Sequence, residues 1–269
     1  MSKHLQRDLE NLQREILTLA ASVEETIYKA IRALQEREVD LAQEVIAEDT
    51  SIDQQENHVE EECLKLLALH QPVAVDLRQI AAVLKINTDL ERMADLAGDI
   101  AERAVALAKF PHIPIPDDLQ RMTDLTTSMV RQSLDAFVNL DTRLARRVCR
   151  LDDEVDRYNR NIIQEIIQVM RQSPEMVEPG LSLFSAIRHL ERIADHATNI
   201  AEDVVYLTEG VVIRHRARSR SCPGWAGRGR WQRRFWHGVT GDVLVCRRSG
   251  ERLCQLLRRL PLLPGGATP

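Results

Sequence analysis

The sequence predicts an all-α protein: two tandem three-helix bundles related by internal duplication, followed by an irregular C-terminal tail. Three observations predict it. Apolar residues recur with the 3.6-residue helical period in six long stretches. Ala, Leu, Ile, Glu, Asp and Arg dominate while aromatics make up only 4%, and straight-chain residues lose little freedom in a helix. The stretch LERMADLAGDIAE, from Leu90 to Glu102, is echoed one hundred positions later by LERIADHATNIAE, from Leu190 to Glu202.

The first stretch runs from about Leu5 to Glu36, with Leu9, Leu12, Ile16, Leu19, Val23, Ile27, Ile31 and Leu34 on one face. The second runs from about Val39 to His70, where Gln71-Pro72 breaks it. Pro72 suits the first position of the following helix, where its missing N–H would have no partner anyway. That third helix runs from about Val73 to Lys109. The segment Phe110 to Pro116 holds three prolines, which remove donors and push their predecessors to extended geometry, so it reads as a linker. Asp117, with Gln120 three residues later, reads as the N-cap of a fourth helix ending near Asn139. The fifth runs from Thr142 to Gln172, and beyond Ser173-Pro174 the sixth runs from about Pro179 to Glu209. The expected domains are residues 1–110, a linker at 111–116, residues 117–210 and a tail at 211–269. A fainter echo aligns Asp49–Asp53 with Asp152–Asp156, and each half can close its own core as an antiparallel bundle.

Charge divides the chain as sharply as periodicity does. The formal net charge is −5, but residues 1–210 carry 39 acidic against 23 basic side chains. Residues 211–269 carry 13 arginines, no lysine and only Asp242 and Glu251 as acids, with all three tryptophans and 8 of the 11 glycines. The tail has no helical period. It reads as a frameshifted or read-through C-terminus, the functional alternative being a basic tail for nucleic acid or anionic lipid. No run of about 18 apolar residues is present, and the N-terminus turns polar at once, so a cytoplasmic protein is expected. The five cysteines form no C-x-x-C, and Cys63 and Cys149 read as ordinary buried thiols of a reducing compartment.

The candidate chemistry lies in carboxylates. Glu91, Asp95 and Asp99 are spaced i, i+4, i+8 and stack within about 80° of arc, with Glu102 returning to the same stripe. Asp49, Asp53, Glu56 and Glu60 make a second column on the preceding helix. Most acidic stripes are solvated faces. Like charges at i, i+4 nevertheless repel, and a multivalent cation would relieve that strain; carboxylate oxygens suit magnesium, calcium, manganese or ferric iron. The columns recur in the second half as Asp152, Asp156, Glu191 and Asp195, with Asn199 replacing the acid at Asp99, so the second site should be the weaker. His189 and His196 flank it and read as exposed polar residues. There is no Glu-x-x-His, dinucleotide fingerprint, P-loop, H-E-x-x-H or Gly-x-Ser-x-Gly elbow, hence no visible catalytic apparatus.

The duplicated Leu-Glu-Arg-x-Ala-Asp element, Asp49-x-x-x-Asp53 and the turn Leu69-His70-Gln71-Pro72-Val73-Ala74-x-Asp76-Leu77-Arg78 closely resemble the PhoU family over about residues 4–215. The resemblance implies two three-helix bundles in pseudo-twofold arrangement. It also implies multinuclear clusters of iron, zinc, manganese or magnesium, with ligands Asp49, Asp53, Glu91, Asp95 and Asp99, then Asp152, Asp156, Glu191 and Asp195. It further implies an adaptor that keeps the phosphate-starvation regulon off, relaying phosphate sufficiency from the ATPase subunit of the phosphate ABC transporter to a sensor histidine kinase; separately, the exposed helix faces suit a homodimer. Such an adaptor meets the membrane only through its partners and uses no nucleic acid through residues 1–210. Against this stand a metal-dependent phosphate-handling enzyme or metal-storage bundle, and a DNA-binding regulator acting through the tail.

Overall fold

A computed structural model describes residues 3–110, 113, 114 and 116–211, and the tail reading therefore lies outside the described residues. Six long helices and one short 3-10 turn account for nearly all of them: α1 (Lys3–Glu36), α2 (Val39–His70), α3 (Ala74–Leu107), α4 (Asp117–Asn139), α5 (Thr142–Gln172) and α6 (Val177–Glu209), with the turn at Pro174–Met176. No strand occurs among the described residues. The face expected of α1 is the buried one, with Leu9, Leu12, Ile16, Leu19, Val23, Ile27, Ile31 and Leu34 all packed inside.

Three helix starts differ from expectation, among them that of α6, which begins at Val177 and not near Pro179. Pro72 lies outside α3: Gln71 takes a left-handed φ of 44° as the C-cap of α2, Ala74 follows at φ 52°, and the helix starts only there, behind Val73. The N-cap of α4 is Pro116, not Asp117. Asp117 and Asp118 occupy the first turn instead, where carboxylates face the positive end of the helix dipole, and Gln120 reaches Asp124 and Gln35. Asp141 is the capping residue that periodicity overlooked; its Oδ1 accepts from the backbone N–H of Arg143 at 2.8 Å and of Leu144 at 3.1 Å. Within the linker, Ile113 is buried and joins the core.

Helices α1, α2 and α3 pack on one another, as do α4, α5 and α6, and the two sets meet mainly through α3 against α6 and also through α1 against α4. The pairs across α3 and α6 run in opposite senses: Lys85 with Asp203, Asp89 with His196 and Asn199, Asp99 with His189. The two helices are therefore antiparallel and cross at the level of Ala94 and Ala194, the positions that the one-hundred-residue repeat equates. The duplication is thus expressed as a pseudo-twofold axis between α3 and α6. Buried apolar residues from all six helices form one continuous core across it.

Candidate metal centre

The first-half columns meet. α2 and α3 lie side by side, and Asp49, Asp53 and Asp95 each offer a carboxylate oxygen to one point, the three oxygens lying within 4.8 Å of one another. The helical period explains why: Ala42, Val45, Ile52 and Val59 of α2 and Leu90, Met93, Ala97 and Ile100 of α3 turn inward, leaving the acids along the shared edge. Asp49 is half-buried, while Asp53 and Asp95 are exposed.

The electrostatics record the crowding. Burial, then the charges of Asp53 and Asp95, push the Asp49 carboxyl above its ordinary range. Asp95 is raised by burial and then by Asp53 and Asp99; Glu91 is raised by burial and then by Asp95, with Arg92 opposing in both cases. Glu56 is likewise raised by burial and by Glu60 and Asp53, and its Oε1 accepts from Asn87 Nδ2 at 2.8 Å. Oxygen donors crowded this closely fit a hard cation, which would replace repulsion with attraction. Asp49, Asp53 and Asp95 would hold it, with Glu91 one turn away along α3.

Asp99 departs from that cluster. Its Oδ2 lies 3.4 Å from His189 Nδ1 across the α3–α6 interface, and the pseudo-equivalent pairing joins Asp89 Oδ1 to His196 Nδ1 at 2.7 Å and to Asn199 Nδ2 at 3.2 Å. Asn199 is thus a donor to Asp89, so its exchange for an acid is explained by the interface. His189 and His196, expected at the surface, are both largely buried there, with side chains 17% and 14% exposed. Burial holds His189 below its ordinary value against the pull of Asp99. Sequence reasoning missed Asp89 altogether. The repeat register could have found it, because it places Asp89 on His189 and Asp99 on Asn199, each acid facing a nitrogen donor.

The second-half acids are arranged differently. Glu191 is raised by burial, drawn back by Arg188 at 3.2 Å and raised again by Asp195 and Asp156. Asp156 lies 3.9 Å from Arg160, and Asp152 bears on the Cys149 thiol. Among the described residues only Asp49, Asp53 and Asp95 converge as three ligands. Cys63 is buried, its thiol pushed up to about 12 by burial, and half-buried Cys149 is pushed to about 11, so both are unreactive at neutral pH.

A six-helix, duplicated bundle with a surface carboxylate centre defines an all-α, two-repeat class, and comparison with known proteins identifies the family. The PhoU domain model matches residues 16–104 and again 119–204, and the chain belongs to the PhoU family. It is 38% identical over 216 residues to the phosphate-specific transport system accessory protein PhoU homolog of Pseudomonas putida, spanning 80% of this chain and 84% of that protein. It is 39% identical over 209 residues to the corresponding Aquifex aeolicus protein, spanning 78% and 95%. The crystal structure of PhoU from Pseudomonas aeruginosa superposes with a TM-score of 0.74 at 36% identity, covering 77% of this chain and 99% of that one. That of the phosphate transport system regulatory protein PhoU from Streptococcus pneumoniae gives 0.73 at 32% identity, covering 78% and 99%.

Proposed function

We propose that this chain is an accessory protein of phosphate transport that acts as a negative regulator of the phosphate-starvation regulon. It works by binding, relaying phosphate sufficiency from the ATPase subunit of the phosphate ABC transporter to a sensor histidine kinase in the cytoplasm. The observation that carries this reading is the match of both halves to the PhoU domain, at 35–39% identity to accessory proteins whose length the chain nearly spans. The site supports a binding role. It gathers oxygen ligands, and neither cysteine is activated. The cation at Asp49, Asp53 and Asp95 serves in this reading to lock α2 against α3.

The test is alkaline phosphatase activity at high phosphate in a strain lacking the gene, with and without the chain restored. High activity in the deletion, falling when the chain returns, is the expected result. Low activity in the deletion would sink the regulator and favour the alternative, a metal-dependent phosphate-handling or metal-storage bundle. Two observations lie on that side: Asp53 and Asp95 are exposed, which leaves the centre open to a further ligand, and the Ser185 hydroxyl lies 3.1 Å from His189 Nε2, whose Nδ1 faces Asp99 at 3.4 Å.

A further inference from the structure

The duplication supplies an internal control for every surface feature. A shift of 103 residues lays α2 on α5, setting Ala42 on Ala145, Val45 on Val148, Ile52 on Val155 and Val59 on Ile162, and every member of these pairs is buried. The same register sets Asp40, Gln43, Glu44 and Ala47 on Arg143, Arg146, Arg147 and Arg150. Those arginines recur at i, i+3, i+4 and i+7, within about 100° of arc, on the side of α5 opposite Ala145 and Val148. All four are exposed. Arg146 bonds Glu209 at 2.7 Å, whereas Arg143, Arg147 and Arg150 make no ion pair among the described residues.

Beyond the Arg146–Glu209 pair, nothing in the fold calls for this stripe. α2 builds the same helix, buried along the same face, with Asp and Glu at matching places. Four cations in the first turns of a helix also oppose its dipole and one another, and Asp141 at the cap offsets only part of that. We propose that the outer face of the first two turns of α5 is a docking surface for an acidic segment of another protein. The inference rests on the adaptor reading and names the chemistry of one partner. Charge decides among anionic partners. Residues 1–210 carry 39 acids against 23 bases, so an extended polyanion such as duplex nucleic acid or an anionic bilayer would also confront the acidic columns. A short segment with Asp and Glu at helical spacing meets the stripe alone. The guanidinium fork pairs carboxylates two bonds at a time, and no aromatic side chain stands among the four arginines to stack a base.

The experiment places the photo-crosslinking residue p-benzoylphenylalanine at exposed Asp153, one turn beyond Arg150, in the full chain inside cells at high phosphate. The expected adduct maps to an Asp/Glu-rich segment of another protein. Its yield falls about tenfold when Arg143→Asp and Arg147→Glu, the residues that α2 carries there, are introduced without change in melting temperature. An adduct whose yield ignores the reversal overturns the proposal. So does one that maps to a non-acidic segment, nucleic acid, lipid or a second copy of this chain, and so does no adduct at all. The same strains are assayed for alkaline phosphatase. Repression by both wild type and the reversed variant removes the docking surface and leaves the adaptor standing. Loss of repression by wild type itself removes the adaptor, and the mapped adduct then decides the docking surface alone.

Discussion

At the scale of single residues, the acids divide into those that repel and those that are paired. Asp95 faces Asp53 and Asp99, whose repulsion outweighs the pull of Arg92, so Asp95→Asn should stabilise the metal-free chain by about 0.2–0.5 kcal/mol, the usual size of a relieved i, i+4 repulsion. The same change should abolish the gain in melting temperature that manganese or iron gives the wild type; an unaltered gain would mean that the centre holds no ion. The pH dependence follows from the same charges. Asp49, Glu91 and Asp95 have folded-state pKa values raised above their unfolded values of about 4, so each contributes stability that is present below about pH 4 and lost as pH rises through the raised value. The metal-free chain should therefore melt higher as pH falls from neutral towards 5, as far as these groups decide. Added metal should reverse the trend, because the ligands must be deprotonated to bind. Asp89 is the opposite case. It is 8% exposed and accepts from His196 and Asn199, so His196→Ala should cost about 1–3 kcal/mol in denaturant titration by leaving a buried carboxylate with Asn199 alone of these two partners.

At the scale of elements, helix existence and phase were legible because burial is periodic, whereas helix ends depended on chemistry with no period. The inward face of α1 is legible from apolar spacing alone. Pro72 and Asp117 were misplaced because proline is tolerated both just before and within a first turn, and an acid is favoured both at the cap and one position inside. Only the backbone decides between them. Asp141 was overlooked since Thr142 follows it and either could have capped. The consequence is measurable. Asp141→Ala should lower stability by about 1 kcal/mol, since its Oδ1 holds two first-turn N–H groups. Glu38→Ala at the equivalent cap of α2, whose side chain makes no capping bond, should leave stability nearly unchanged in the same assay.

At the scale of the whole molecule, the repeat made two bundles legible, and the α2–α3 acids were read as columns that would build a site if they adjoined. What no single stripe could reveal was the crossing of α3 on α6. That contact turned Asp99 away from the cluster and buried His189 and His196, because a residue's partner across a pseudo-twofold axis lies about a hundred positions off and on no shared helix. The crossing also makes one core of two repeats, and a final prediction tests this. Leu96 is buried on the stripe of α3 that carries Lys85, Asp89 and Asp99 towards α6. Leu96→Ala removes three carbons from that seam and should cost about 2–5 kcal/mol, the range for a large-to-small change in a close-packed core. If the halves share their stability through α3 and α6, circular dichroism of the full chain will show a single melting transition, shifted down as a whole. A curve that splits, with one half melting at the wild-type temperature, would mean that each repeat folds on its own account and that the α3–α6 seam is a contact between finished bundles.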